Sequence, residues 1–180
     1  MLIRNVLISF CGLVLLTACQ TVNRTDPNDS AASVIPAGSS IILNQPLTFD
    51  IGFSRSYIQH GKALHFKDVR TRYPYCYFYR YEPRKALQAV RTVPLGQFKV
   101  IHSYQTMEVA STSFMQKASM DDGYAEVYLS SIMELESPSQ PEINKLICSV
   151  FGEQNQWNYV SVNQIKKTLG GVAEIILSTD

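Results

Sequence analysis

The sequence predicts a mostly-β domain, a sandwich or partly open barrel of about eight strands with one short C-terminal helix. Three observations predict it. From residue 41 onward, apolar and aromatic residues alternate with polar ones at a period of two in most segments. Only one segment combines helical spacing with cap residues. Proline and glycine cut the chain into short pieces, and no repeat at a period of about 20–50 residues is visible, which excludes solenoids and propellers.

The elements follow in order. Ile41-Ile42-Leu43 is a short apolar strand. In Leu47–Ile51 the residues Leu47, Phe49 and Ile51 share one face. Tyr57–Phe66 reads as a hairpin turning at His60-Gly61-Lys62. Residues 73 to 81, YPYCYFYRY, form the next strand, and Pro83 breaks it. Ala89–Val93 is closed by Pro94-Leu95-Gly96. Phe98, Val100, His102 and Tyr104 are expected on one face of the following strand. Asp121-Asp122-Gly123 reads as a turn before a long strand, Tyr124–Leu135. Ser137–Pro141 is a break, and Lys145–Phe151 is a strand apolar on both faces. In SVNQIKKTLGG, residues 161 to 171, Ser161 and Gln164 have capping-box spacing, Ile165 and Leu169 share a face, and the glycines supply the stop. Val172–Leu177 is the terminal strand.

The N-terminus reads MLIRNVLISFCGLVLLTACQ. One cation, Arg4, precedes an apolar run from Val6 to Leu16. A bilayer core takes roughly 20 apolar residues, so the run is too short to span one and has the length and flanks of a secretory signal. It ends in Leu16-Thr17-Ala18-Cys19, which resembles the lipobox of bacterial lipoproteins. The resemblance implies that residues 1–18 are removed as a signal peptide and that Cys19 is acylated. The alternative is an ordinary signal peptide or an uncleaved anchor with a chance cysteine. Several acyl chains, each buried methylene contributing about 0.8 kcal/mol, would hold the chain to the membrane without a span. Gln20 stands where an Asp would imply inner-membrane retention, so the same analogy implies an outer-membrane anchor with the body facing the periplasm. Residues 19–36 are rich in Ser, Thr, Asn, Asp, Pro and Ala and read as the lipidated cysteine and a flexible tether. Residues 37–180 are then a single β-rich domain in the periplasm. The runs Tyr57-Ile-Gln-His-Gly61, Tyr73-Pro-Tyr-Cys76 and Pro94-Leu-Gly-Gln-Phe-Lys-Val100 are similar to a pattern of small proteobacterial lipoproteins that have no established activity.

Cys11 would leave with the signal and Cys19 would carry lipid, so Cys76 and Cys148 remain in an oxidising compartment. Both lie mid-strand in apolar company, Cys76 with Phe78 and Cys148 with Leu146 and Val150. The simplest outcome is one disulfide, closing a loop of about 73 residues worth roughly 4 kcal/mol in the chain-entropy model. Buried free thiols are the alternative. In the same strand Tyr73, Tyr75, Tyr77, Tyr79 and Tyr81 point away from Cys76. Two readings of that row stand side by side. The late helix or a long loop covers it, or it is an exposed aromatic platform for a glycan, peptide or partner protein. Arg72, Arg80, Arg84 and Lys85 flank the row, placed to meet carboxylates.

Charge excludes one class. Of the 16 Lys and Arg, Arg4 lies in the signal, and the other 15 balance 15 Asp and Glu. A neutral chain without a basic stripe gives no electrostatic footprint for nucleic acid. Catalytic and cofactor signatures are missing. His60, His65 and His102 have no ligand spacing, and Gly-x-Ser-x-Gly and phosphate-binding loops do not occur. Asp121-Asp122 lacks EF-hand spacing, and Glu134 with Glu136 reads as a solvated rim. No metal and no cofactor is expected. The leading expectation is a non-enzymatic envelope lipoprotein that binds or scaffolds another envelope protein or a glycan. An envelope-modifying enzyme, or a carrier of a lipid or small apolar ligand, is the alternative.

Overall fold

The computed structural model describes residues 34–83, 87–110, 126–153 and 158–179. The expected signal peptide, Cys19, most of the tether, Arg84, Lys85 and the Asp121–Gly123 turn lie outside the described residues. The fold is mostly β. The described residues form ten strands in chain order: β1 Ser40–Leu43, β2 Leu47–Phe49, β3 Arg55–Gln59, β4 Lys62–Leu64, β5 Tyr75–Arg80, β6 Arg91–Val93, β7 Gly96–Val109, β8 Glu126–Glu136, β9 Ile143–Glu153 and β10 Ala173–Ile176. Among the described residues one helix, α1, covers Val162–Leu169, and Phe66–Asp68 make a 3-10 turn. Eight strands form one antiparallel sheet in the order β10-β1-β7-β8-β9-β5-β3-β4, curled into a half-barrel. β2 and β6 pair separately.

The period-two patterning decides which face is buried. On one face Ile58, Cys76, Phe78, Leu146, Cys148, Met133, Val100 and Phe98 are almost fully buried. Helix α1 covers this face with Val162, Ile165 and Leu169, which join the same core. The Phe78 and Phe98 rings meet there at 5.7 Å. The helix starts where the sequence places its cap. The Gln164 N–H donates to Ser161 Oγ (3.3 Å), and the Ser161 N–H donates to Gln164 Oε1 (2.9 Å). It stops at Gly170, φ 50°, which lies against the β3–β4 turn. That turn is formed by His60 (φ 53°) and Gly61 (φ 70°), and the Gly61 N–H donates to the Thr168 carbonyl at 2.9 Å.

Several expected details are corrected. β2 ends at Phe49, and Ile51 is exposed rather than sharing its buried face. β6 begins at Arg91, not Ala89. The register shifts between Val100 and His102, so Ile101 is an extra residue and His102 crosses to the face opposite Val100. β5 is shorter than the tyrosine row: Tyr73 precedes it and Tyr81 follows it, both exposed. Arg80 does not flank the row. It falls on the Cys76–Phe78 side, 1 % exposed, with Nη1 3.1 Å from Glu82 and its guanidinium 5.2 Å from the Phe49 ring centroid. A buried guanidinium needs such a partner because desolvation of an unpaired charge is costly.

Candidate functional site: an aromatic cleft

Cys76 on β5 lies directly opposite Cys148 on β9, and the two form a disulfide with Cα atoms 4.0 Å apart and S–S 2.09 Å. The bridge sits on the helix side of the sheet. Because successive side chains alternate, the neighbours of Cys76 along β5, Tyr75 and Tyr77, must stand on the opposite face. Helix α1 is on the other side of the sheet and does not cover them, yet Tyr75 is only 5 % exposed.

Strand registers bring further residues beside these two. One row across the sheet runs Tyr57, Tyr77, Ile147, Ile132, Tyr104. The next runs Tyr75, Ser149, Ser130, Thr106. A third runs Phe151, Tyr128, Glu108. All of these except Tyr104 and Phe151 line a cleft of about 310 Å³, bounded by Phe66 of the 3-10 turn and by Arg55 of β3. The rings are close: Tyr57 lies 5.3 Å from Tyr77 and 5.1 Å from Phe66, and Tyr75 and Tyr77 stack at 6.4 Å. The Arg55 guanidinium sits 5.0 Å from the Tyr77 centroid, a cation–π contact. At the floor Ser130 Oγ and Ser149 Oγ share a hydrogen bond of 2.7 Å. Thr106 Oγ1 is shielded from solvent and has no hydrogen-bond partner among the described residues.

Burial sets the electrostatics. It pushes the Tyr75 phenol well above the usual tyrosine value, and the neighbouring Tyr77 adds to the shift. Burial also raises Tyr77, against the opposing pull of Arg55. For Arg55, burial acts to lower the pKa, but the Tyr57 hydroxyl and the surrounding phenols outweigh it and the net shift is upward. At neutral pH the cleft thus presents the protonated Tyr75 and Tyr77 phenols, the serine and threonine hydroxyls, the Arg55 cation and the Glu108 side chain. This combination offers flat apolar faces and hydrogen-bonding groups within one small volume.

Of the five tyrosines in the row, Tyr75 and Tyr77 line the cleft. Tyr79 shares their face, half-buried, one residue row further along, opposite Arg55 and Lys145. Tyr73 and Tyr81 do not join them. His102 lies beside Tyr104 at 5.5 Å, outside the cleft. His65 pairs with Asp50 at 2.7 Å in a neighbouring hollow of about 360 Å³ beyond Phe66. His60 is at the hairpin turn. Glu134 pairs with Lys145 at 3.6 Å. Among the described residues no group of three or more His, Cys, Asp or Glu is placed to hold a metal ion.

Sequence reasoning missed Arg55, Tyr57, Phe66, Thr106, Glu108 and Tyr128. Part of the signal was present. Arg55 precedes a run in which Ser56, Tyr57 and Ile58 are all buried, and Tyr128 alternates with buried Val127 and Leu129. Comparison with protein-family models, with curated proteins and with solved structures found no match.

Proposed function

We propose that the chain is an envelope lipoprotein, anchored to the outer membrane through acylated Cys19, whose β domain is a non-enzymatic module that binds a glycan in the aromatic cleft. The observation that carries the binding role is the set of rings of Tyr57, Tyr75 and Tyr77 over the hydroxyl floor of Ser130, Ser149 and Thr106. A sugar ring has apolar C–H faces that pack on aromatic rings and an equatorial rim of hydroxyls that needs donors and acceptors. Arg55 gives a counter-charge for the carboxylates that decorate envelope glycans. Glycosidases use paired carboxylates, whereas Glu108 is the sole carboxylate among the described lining residues, which favours binding over hydrolysis. A carrier would need an open interior, and the helix-side face is filled by core side chains and α1. Among the described residues no helix is long and apolar enough to cross a membrane; the anchor rests on the Leu-Thr-Ala-Cys resemblance.

Two experiments test the two halves. Soluble peptidoglycan fragments titrated into the full chain should give saturable binding by tyrosine fluorescence. Tyr77→Ala and Arg55→Ala should each weaken it about tenfold, near 1.4 kcal/mol, with the circular dichroism retained. Unaltered affinity in both folded variants removes the cleft from consideration. Labelled palmitate should enter the native chain and not Cys19→Ser; equal labelling of both defeats the anchor.

A further inference from the structure

The aromatic cleft shares a wall with the hollow of about 360 Å³ beyond Phe66: Arg55, Tyr57 and Phe66 line both. The Tyr57 and Phe66 rings meet in that wall with centroids 5.1 Å apart. Tyr57 is 6 % exposed and Phe66 is 52 % exposed, so Phe66 is the crest of the wall. The local chain path puts it there. β4 ends at Leu64, and the next residues turn through the 3-10 segment Phe66–Asp68, none of which is buried. The turn carries His65, Phe66 and Lys67 to the surface beside Arg55.

The second hollow repeats the chemistry of the cleft. Half-exposed Phe53 offers a flat apolar face. An ionised carboxylate can only accept, so His65 Nδ1 donates to Asp50 Oδ2 at 2.7 Å, and Nε2 is the ring's remaining hydrogen-bonding atom. Lys67 is exposed and lies in no ion pair among the described residues. Each hollow alone is at the small end of ligand sites, which run from about 300 to 1,000 Å³. We propose that the two hollows form one groove for a linear oligosaccharide bearing carboxylates. One sugar occupies the cleft, the chain crosses the exposed Phe66 ring, and a later sugar lies against Phe53 and His65. Arg55 on the shared wall and Lys67 in the outer hollow meet the carboxylates. The proposal rests on the glycan reading of the cleft and adds a length requirement to it. Once one sugar is held in the cleft, binding of the next is intramolecular, so affinity rises with chain length.

The test compares two probes in calorimetric titrations of the detergent-solubilised full chain. One is N-acetylmuramic acid, a single sugar with one carboxylate. The other is the tetrasaccharide in which it alternates with N-acetylglucosamine. The tetrasaccharide binds at least about tenfold more tightly. Phe53→Ala and His65→Ala, both at exposed positions, each weaken the tetrasaccharide about fivefold and leave the single sugar within about twofold, with circular dichroism retained. Tyr77→Ala weakens both probes. A tetrasaccharide no tighter than the single sugar overturns the extended groove, as does a tetrasaccharide affinity unmoved in both folded outer variants. If Tyr77→Ala still weakens both probes in those cases, the cleft reading stands without the groove. A native chain that binds neither probe overturns both.

Discussion

Reduction of the Cys76–Cys148 bridge should lower stability by about 4 kcal/mol without changing the native topology. The bridged residues are 72 apart in sequence. In the chain-entropy model a loop of that length removes roughly 15 cal/mol/K from the unfolded ensemble, or about 4 kcal/mol at 25 °C. Domains of this size have about 5–15 kcal/mol in total, so the bridge accounts for a large share. Urea unfolding with and without a phosphine reductant reads the difference. With a slope near 2 kcal/mol/M, the midpoint should fall by about 2 M. The slope itself should rise, because the reduced unfolded chain is less compact and exposes more surface. Equal midpoints in the two conditions would refute the reasoning. They would mean that the unfolded chain gains no freedom when β5 and β9 are no longer tied.

Two other perturbations have worked signs. Tyr75 and Tyr77 are raised above the ordinary tyrosine value of about 10, so at alkaline pH the native state holds protons that the unfolded chain has released. Their contribution is complete below about pH 10 and is lost as pH rises through the folded values. In an alkaline titration, part of the phenolate absorbance at 295 nm should therefore appear only as the circular dichroism collapses; ionisation of every tyrosine with the fold intact would contradict this. Gly170→Ala should destabilise by about 3 kcal/mol, since its φ of 50° is strained for a side chain and the new Cβ would lie 2.6 Å from Gly61 Cα. Gly52→Ala has a φ of 80° but nothing within 4 Å, and should cost about 1 kcal/mol. Thermal melts of the pair that rank them the other way would refute the packing argument.

The fold class was legible because local alternation and one capped helix survive into the structure unchanged. Ser161 and Gln164 are three apart, and a capping box needs nothing beyond that spacing. The inward aim of Cys76 and Cys148 follows from parity in the same way. Where reading failed, the cause was a break in parity or a non-local partner. The extra residue Ile101 sends His102 across the sheet, and no feature of Val100–Tyr104 announces a bulge. Arg80 has the parity of Phe78, but its charge argued for the surface until Glu82 and Phe49 appeared beside it. The cleft was half legible. Tyr75 and Tyr77 stand out in the sequence, whereas Thr106, Glu108 and Tyr128 reach them only through pairings between strands distant in the chain.

The place of β1 has a consequence for how the chain matures. This first strand is not at the border of the sheet: β7 flanks it on one side and β10 on the other. Its second neighbour, Ala173–Ile176, is the last strand described. An N-to-C emerging polypeptide therefore cannot complete its hydrogen bonding around Ser40–Leu43 until Ala173–Ile176 has been delivered as well. Contacts of such long sequence separation are entropically slow to form. Until then β1 is a half-paired, apolar segment, the kind of surface that holdase chaperones shield from aggregation.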